Sequence, residues 1–381
     1  MATLCWAVAI SRRDNRFETE LGTAVCRCLQ ELGHSAKLVY DGEPAELRAD
    51  VLLLLVNLGN FSGYCDQLRR GHSRRPVVVV WQMDPLPPTA LDPEAERIGL
   101  AAARWRRVFR LNRSAAAMTR WKKLATLIRL REWACKLCSA PGYRRAWQLM
   151  SKTPGLYDDF DWRQVRGVMQ AWATIREAHA DQWVDCFVMS TQQRQRFLAS
   201  RGIAADFVPV GAYAETGREL GTPRDLAVAF LGSAKHGRRA ARLAELGRSL
   251  QERGIVFQRI ESNCYGEERT ALLNRTHILV NLHNYPWSPA WIRFLMAASC
   301  GTLVVSEPTE DNQPFVAGQH YVAVTFEEMP DTIFRLFNDP GHCARITRAA
   351  SALCRNELTL LNAVQSLCRQ ASAAKLRREK T

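Results

Sequence analysis

Three stretches of this 381-residue chain set chemically competent side chains at the end of an apolar run. In the first, Ile278-Leu279-Val280-Asn281-Leu282 leads into His283, Asn284, a Tyr285-Pro286-Trp287-Ser288-Pro289 turn and then Arg293. The pattern reads as strand, loop, helix, with His283 and Asn284 at the carboxyl end of the strand. A helix starting near Ser288-Pro289 would offer an anion free backbone N–H groups, the positive end of its dipole and the Arg293 guanidinium. The plainer alternative makes His283 and Asn284 turn residues and Arg293 a solvated charge. In the second stretch, Phe230-Leu231 passes into Gly232 and a basic segment carrying Lys235, Arg238 and Arg239. In the third, Val77–Trp81 ends at Gln82-Met83-Asp84-Pro85. Asp84 there could orient a hydroxyl or take its proton, or simply close a turn before Pro85. Leu58–Tyr64 is a weaker candidate loop of the same kind.

Such residues need strands that end where they begin. Strands are expected over 3–11, 35–40, 51–57, 77–81 and 183–191, with helices over 16–32, stopped by Gly33, and 192–200, ended by Gly202. The unbroken apolar runs at 51–56 and 77–81 imply strands buried on both faces, as in a parallel sheet covered by helices. A loop with Gly217, Gly221 and Pro223 marks a boundary, after which the rhythm restarts. Strands are expected at 226–231, 256–260, 278–282, 303–306 and 321–326, helices at 239–251, 267–274 and 290–299, then a helical tail that frays over Lys375–Thr381. The fold class is therefore α/β, two Rossmann-like doubly wound domains facing across a cleft, with ligands at the strands' carboxyl ends. The domains span 1–212, with a basic helical insertion at about 104–175, and 213–365, followed by a tail at 366–381.

The stretch from Ile278 to Pro308, with its N-x-H-type loop, Arg293, Cys300-Gly301 turn and Ser306-Glu307 strand end, resembles the second domain of GT-B glycosyltransferases. The likeness is to the spore-maturation-type, group-1-like branch of retaining enzymes. It extends to Phe230–Arg239, Tyr265–Arg269 and Pro314–Val322, and covers about 225–360. The resemblance implies transfer of a sugar from a nucleotide-sugar donor to an acceptor hydroxyl with retention, donor binding by Gly232, Lys235, Arg238, Arg239, Asn284, Arg293 and Glu307, and His283 and Asp84 in catalysis. The family's Glu-x7-Glu pair falls here on Ser288 and Met296, neither of which accepts two hydroxyl hydrogen bonds as a carboxylate does. A departing diphosphate gathers charge, which transferases meet with a metal on Asp-x-Asp or with cations and helix ends alone. No cofactor or metal is expected here. Arg239 is favoured over Arg238 for this role, and Arg239→Ala is expected to weaken donor binding without disturbing the fold.

Other signals count for less. Asp159-Phe160-Asp161 reads as a helix N-cap rather than a metal motif, Cys135-Lys136-Leu137-Cys138 lacks a second pair at zinc spacing, and Gly232 opens no G-x-G-x-x-G. Hydrophobic residues at 47% and charged residues at 24% exclude a mostly disordered chain. No apolar run reaches the ~20 residues of a membrane-spanning helix. Met1–Ile10 reads as a buried strand rather than a signal peptide, and the twelve scattered cysteines as reduced cytosolic thiols.

The net charge of +14 is concentrated. Between 104 and 145 thirteen Lys and Arg face only Glu132, interleaved with Trp105, Phe109, Trp121 and Trp133. Such a segment suits an anionic membrane at the inner face, or, less favoured, nucleic acid. The alternative is a helix packed on its own domain with solvated charges. An envelope or polysaccharide acceptor would make membrane contact useful. The rival functional classes are a nucleic-acid-modifying transferase and a non-catalytic nucleotide- or polyanion-binding protein on the same scaffold.

Overall fold

The computed structural model describes residues 3–12, 14–43, 48–69, 75–108, 122–152, 161–234, 238–260 and 264–379. The chain forms two compact units, one of residues 1–208 with 364–381, the other of 209–363.

The first unit runs β1 (Cys5–Ile10), α1 (Arg16–Glu31), β2 (Ser35–Tyr40), β3 (Val51–Val56), α2 (Ser62–Arg69), β4 (Val77–Gln82), α3 (Pro93–Val108), α4 (Lys122–Met150), α5 (Trp162–Ala180), β5 (Cys186–Met189), α6 (Gln192–Ala199) and β6 (Asp206–Phe207). Its sheet has the order β2-β1-β3-β4-β5-β6 and its pairings are parallel. Every residue of β3 and β4 is buried, because helices cover both faces. Asn15 starts α1 by accepting from the Glu18 N–H at 3.2 Å, and Gly33, at φ +82°, lets the chain turn out of it. Asp161 caps α5 in a reciprocal box with Gln164; Asp159 and Phe160 lie outside the described residues. Gly142 of α4 sits so close to α3 that an added Cβ would come within 2.7 Å of that of Ala102.

The second unit holds β7 (Leu226–Leu231), α7 (Arg238–Glu252), β8 (Phe257–Ile260), α8 (Gly266–Arg275), β9 (Thr276–Asn281), α9 (Trp291–Ser299), β10 (Leu303–Ser306), β11 (Val322–Ala323), α10 (Met329–Phe337) and α11 (Pro340–Asn356), and the chain ends in α12 (Leu360–Glu379), which from Val364 belongs to the first unit. The parallel sheet has the order β11-β10-β9-β7-β8. Val228, Phe230, Val280, Val305, Leu246 and Ile333 are among the side chains of its core. Read from the first strand of each unit, both sheets follow the order 2-1-3-4-5, which places a topological switch point between β1 and β3 and between β7 and β9.

The structure corrects some expectations. The strand expected over 321–326 is only Val322–Ala323, and that over 183–191 is Cys186–Met189. Lys375–Glu379 is helical rather than frayed, and Lys380 and Thr381 lie outside the described residues. This stretch ends α12, and its Arg378 donates to Asp185 at 2.7 Å and to the Pro76 carbonyl at 2.9 Å. The twelve cysteines are all free.

Gly211 is where the second unit closes on itself. Ala212 exchanges backbone hydrogen bonds with Leu358 and Leu360, and a Cβ on Gly211 would lie 2.1 Å from the Thr359 carbonyl carbon. Gly211→Ala should destabilise this unit by roughly 2–3 kcal/mol, since backbone rather than a side-chain tip must yield. A lowered urea midpoint checks this, and an unchanged midpoint would contradict it.

Candidate functional site

Four arginines gather at the carboxyl ends of β7, β9 and β10, two of them on one carboxylate. Arg293, the third residue of α9, reaches back so that its Nε donates to the Leu231 carbonyl at 2.5 Å and its Nη1 to Asn281 Oδ1 at 3.1 Å. Arg239 donates from Nε to the Leu282 carbonyl at 3.0 Å and from Nη1 to the Ser233 carbonyl at 3.1 Å. Both guanidiniums approach the Phe230 ring, their carbons 5.0 Å (Arg293) and 5.8 Å (Arg239) from its centroid. Both are buried. Among the described residues neither is ion-paired; their acceptors are neutral oxygens. Burial, with the Arg239 charge, lowers the Arg293 pKa to about 9. Burial also lowers that of Arg239 to about 10, where the charge of Glu307 works against it. Gly232, at φ +132°, is required here, because a Cβ would lie 2.4 Å from an Arg293 nitrogen.

Glu307 serves the other pair. Its oxygens accept from Arg238 Nη2 at 2.5 Å and Nη1 at 2.9 Å, from Arg242 Nη1, and from the His283 backbone N–H at 2.9 Å. Burial alone would raise its pKa, but the Arg238 hydrogen bond and charge prevail and hold it low. Glu307 therefore ties α7 to the loop after β9, and its acceptor positions are taken by these donors. Arg238 and Arg242, one turn apart, face this carboxylate, whereas Arg239 faces Phe230.

His283 is 1% exposed. Its Nε2 lies 2.9 Å from the Glu307 carbonyl and 3.3 Å from Ser306 Oγ. The carbonyl only accepts, so Nε2 carries the proton and Nδ1 keeps a lone pair with no hydrogen-bond partner among the described residues. Burial drives the His283 pKa down to about 4, with the charges of Arg238 and Arg239 in the same direction. The ring is thus a neutral acceptor. Asn284 is exposed, Ser288 and Met296 are buried, and α9 starts at Trp291 with Ala290 as an N-cap that makes no side-chain cap bond.

The structure brings Gly232, Arg238, Arg239, His283, Arg293 and Glu307 together; Lys235 lies outside the described residues. The expectation that Arg239→Ala would spare the fold is corrected, since two strand-end carbonyls would lose their donor. Phe230, Asn281 and Ser306 stand in the motifs of the resemblance without a role assigned to them, and Arg242 was missed. Asn281 had a readable signal, a single amide in the apolar run Ile278–Leu282; its Nδ2 donates to Ser306 Oγ at 3.0 Å.

In the first unit Asp84 follows β4. Its Oδ2 accepts from Asn57 Nδ2 at 2.7 Å, and its backbone N–H bonds the Val56 carbonyl at 3.1 Å. Val56 has φ +73°, a strained conformation for a β-branched residue, of the kind that marks functional strand ends. Burial raises the Asp84 pKa against the pull of the Asn57 hydrogen bond and the charge of buried Arg194. Arg194 itself donates to Ser190 Oγ at 2.8 Å. Neither Asn57 nor Arg194 was singled out from sequence.

Residues 226–369 match the family model described as glycosyl transferase-like. Over the whole chain the structure is similar to HepE from Anabaena in complex with UDP-glucose, at 10% identity and a TM-score of 0.52, with 97% of this chain and 100% of that one covered. It is also similar to sucrose-phosphate synthase from Thermosynechococcus elongatus, at 11% identity and a TM-score of 0.53, with 97% and 99% covered. No curated protein sequence matches the chain. The fold is GT-B, and with the family match in its second unit the chain is a glycosyltransferase.

Because His283 is neutral in the fold and titrates near 6.5 when unfolded, the unfolded chain binds the extra proton between pH 6.5 and about 4. Stability must fall as pH falls through that window, on the order of 1.4 kcal/mol per unit from this residue. Urea unfolding at pH 7, 6 and 5 should show a shallower slope in His283→Gln than in the native chain; equal slopes would refute the assignment.

Proposed function

We propose that the chain transfers a sugar from a nucleotide-sugar donor to an acceptor hydroxyl, with the donor diphosphate on Arg239 and Arg293. The observation that carries this reading is the pair of buried guanidiniums over Phe230, neither ion-paired among the described residues, at a topological switch point. Holding two such cations away from water is costly unless an anion completes them. When the bond from the anomeric carbon to the diphosphate breaks, the electron pair goes to the departing oxygen. Preorganised cations there lower the barrier, and α9's uncapped N-terminus favours the same charge. We place no metal in the reaction. Arg239 and Arg293 supply at the leaving group the positive charge a metal would bring.

HepE, a neighbour in fold, is seen with UDP-glucose, which supports a nucleoside diphosphate sugar as donor here. His283 Nδ1 is suited to accept a hydroxyl hydrogen bond from donor or acceptor. Asp84, made more basic by burial, is our candidate to take or orient the acceptor proton. Retention follows from the resemblance to group-1 enzymes. The donor ribose is not held by the usual carboxylate pair, since Ser288 and Met296 stand at those positions. We assign the enzyme to envelope or polysaccharide synthesis, cytoplasmic and peripheral at the inner membrane face. A second reading, a non-catalytic nucleotide-binding protein, is favoured by the buried Met296 and by the occupied oxygens of Glu307.

Thermal-shift and calorimetric titration with UDP, GDP, ADP, CDP and dTDP should reveal one that binds. Arg239→Gln and Arg293→Gln should each weaken it about ten-fold or more, as expected when a hydrogen bond to a charged group is lost. Melting of the free variants separates loss of binding from loss of fold. Stabilisation by none of the five, or equal affinity in folded variants, would refute the proposal. Hydrolysis of the matching nucleotide sugar distinguishes an enzyme from a binding protein.

A further inference from the structure

Helix α4 is apolar on two opposite sides. At 100° per residue, Ser139, Tyr143, Ala146 and Met150 fall within an arc of about 60°, and all four are buried. Leu130, Trp133, Leu137 and Pro141 fall within about 80° on the other side. Leu130 is 56% exposed, Trp133 61% and Leu137 52%, and Pro141 is exposed as well. An amphipathic helix on a domain surface presents charge on its outer face; this one presents a strip of four apolar residues in a row. Lys136 and Arg145, both exposed, lie on either side of the strip, exposed Arg144 continues its face one turn on, and the helix holds seven Lys and Arg against Glu132 alone.

We infer that this face of α4 docks on the surface of an anionic lipid bilayer, with Trp133, Leu130 and Leu137 at the level of the headgroups and acyl boundary and the flanking cations on lipid phosphates. Charge complementarity selects the occupant, and the strip selects lipid over nucleic acid. A polyphosphate backbone would use the cations but gains nothing from exposed Leu130 and Leu137, whereas an interfacial helix uses both. No described helix is long and apolar enough to cross a membrane, so the contact is one of lying on the surface. The inference deepens the proposed placement at the inner membrane face and uses none of the residues assigned to sugar transfer.

Co-sedimentation of the full chain with vesicles tests it, using phosphatidylcholine alone or with about a third phosphatidylglycerol. The native chain should sediment with the anionic vesicles and be released by salt. Leu130→Ser with Trp133→Ser should lower partitioning roughly ten-fold or more with an unchanged melting temperature. Lys136→Ala and Arg145→Ala should each lower it about five-fold, corresponding to about 1 kcal/mol per cation, and they decide the matter should the double variant melt early. Failure of the native chain to sediment, equal binding to both vesicle types, or variants that bind as the native chain does would overturn the inference. So would a dimer that the same apolar substitutions dissociate, or binding to duplex DNA in preference to vesicles. Loss of nucleotide binding would leave it untouched.

Discussion

Two positive charges, held out of water against one aromatic ring, constrain the second unit more than any other feature. Arg239 comes from the first turn of α7 and Arg293 from the first turn of α9, yet both finish beside Phe230. Each is oriented by carbonyls at the ends of β7 and β9. These are groups that a strand end exposes and that would otherwise need water. The arrangement is self-consistent. Gly232 leaves room for Arg293, Asn281 accepts from it, and Ser306 satisfies the other end of that amide. Glu307 pairs directly with Arg238 and Arg242, and Arg239 feels its charge without bonding to it. Sorting the four arginines into two that are paired and two that are not gives the strand ends a preorganised, positive character.

The first unit repeats the strand order and gives its strand ends the opposite character. Its feature is a carboxylate, Asp84, whose Oδ2 is held by Asn57 and whose charge is felt by Arg194. The backbone strain at Val56 fixes the carbonyl to which Met83 and Asp84 donate. One architecture thus carries two buried guanidiniums at the strand ends of one unit and a carboxylate at those of the other, because the side chains at strand ends, not the sheet, determine what each can do.

Much of the fold was legible because burial on both sheet faces leaves continuous apolar runs: Val51–Val56, Val77–Trp81, Leu226–Leu231 and Leu303–Ser306 stand within a residue of where the sequence puts them. The short strands were overextended, since apolar residues flanking β5 and β11, such as Trp183 and Phe326, are buried without strand pairing. The tail looked frayed because its charges are dense, but Arg378 finds Asp185 some 190 positions away, a partner that no local pattern announces. The same reason limited the site. Basic residues near strand ends could be named one by one. Which of Arg238 and Arg239 meets a carboxylate depends on Glu307, and the platform of Phe230 and Asn281 depends on strands that meet only in the folded sheet.

The central claim is that Arg239 and Arg293 await a diphosphate. Its most direct test is a crystal structure of the chain with the nucleoside diphosphate that stabilises it. The account predicts phosphate oxygens within hydrogen-bond distance of both guanidiniums, near ~2.8 Å, with Glu307 still holding Arg238. A diphosphate seated elsewhere, with both guanidiniums still bonded only to backbone and Asn281, would contradict it.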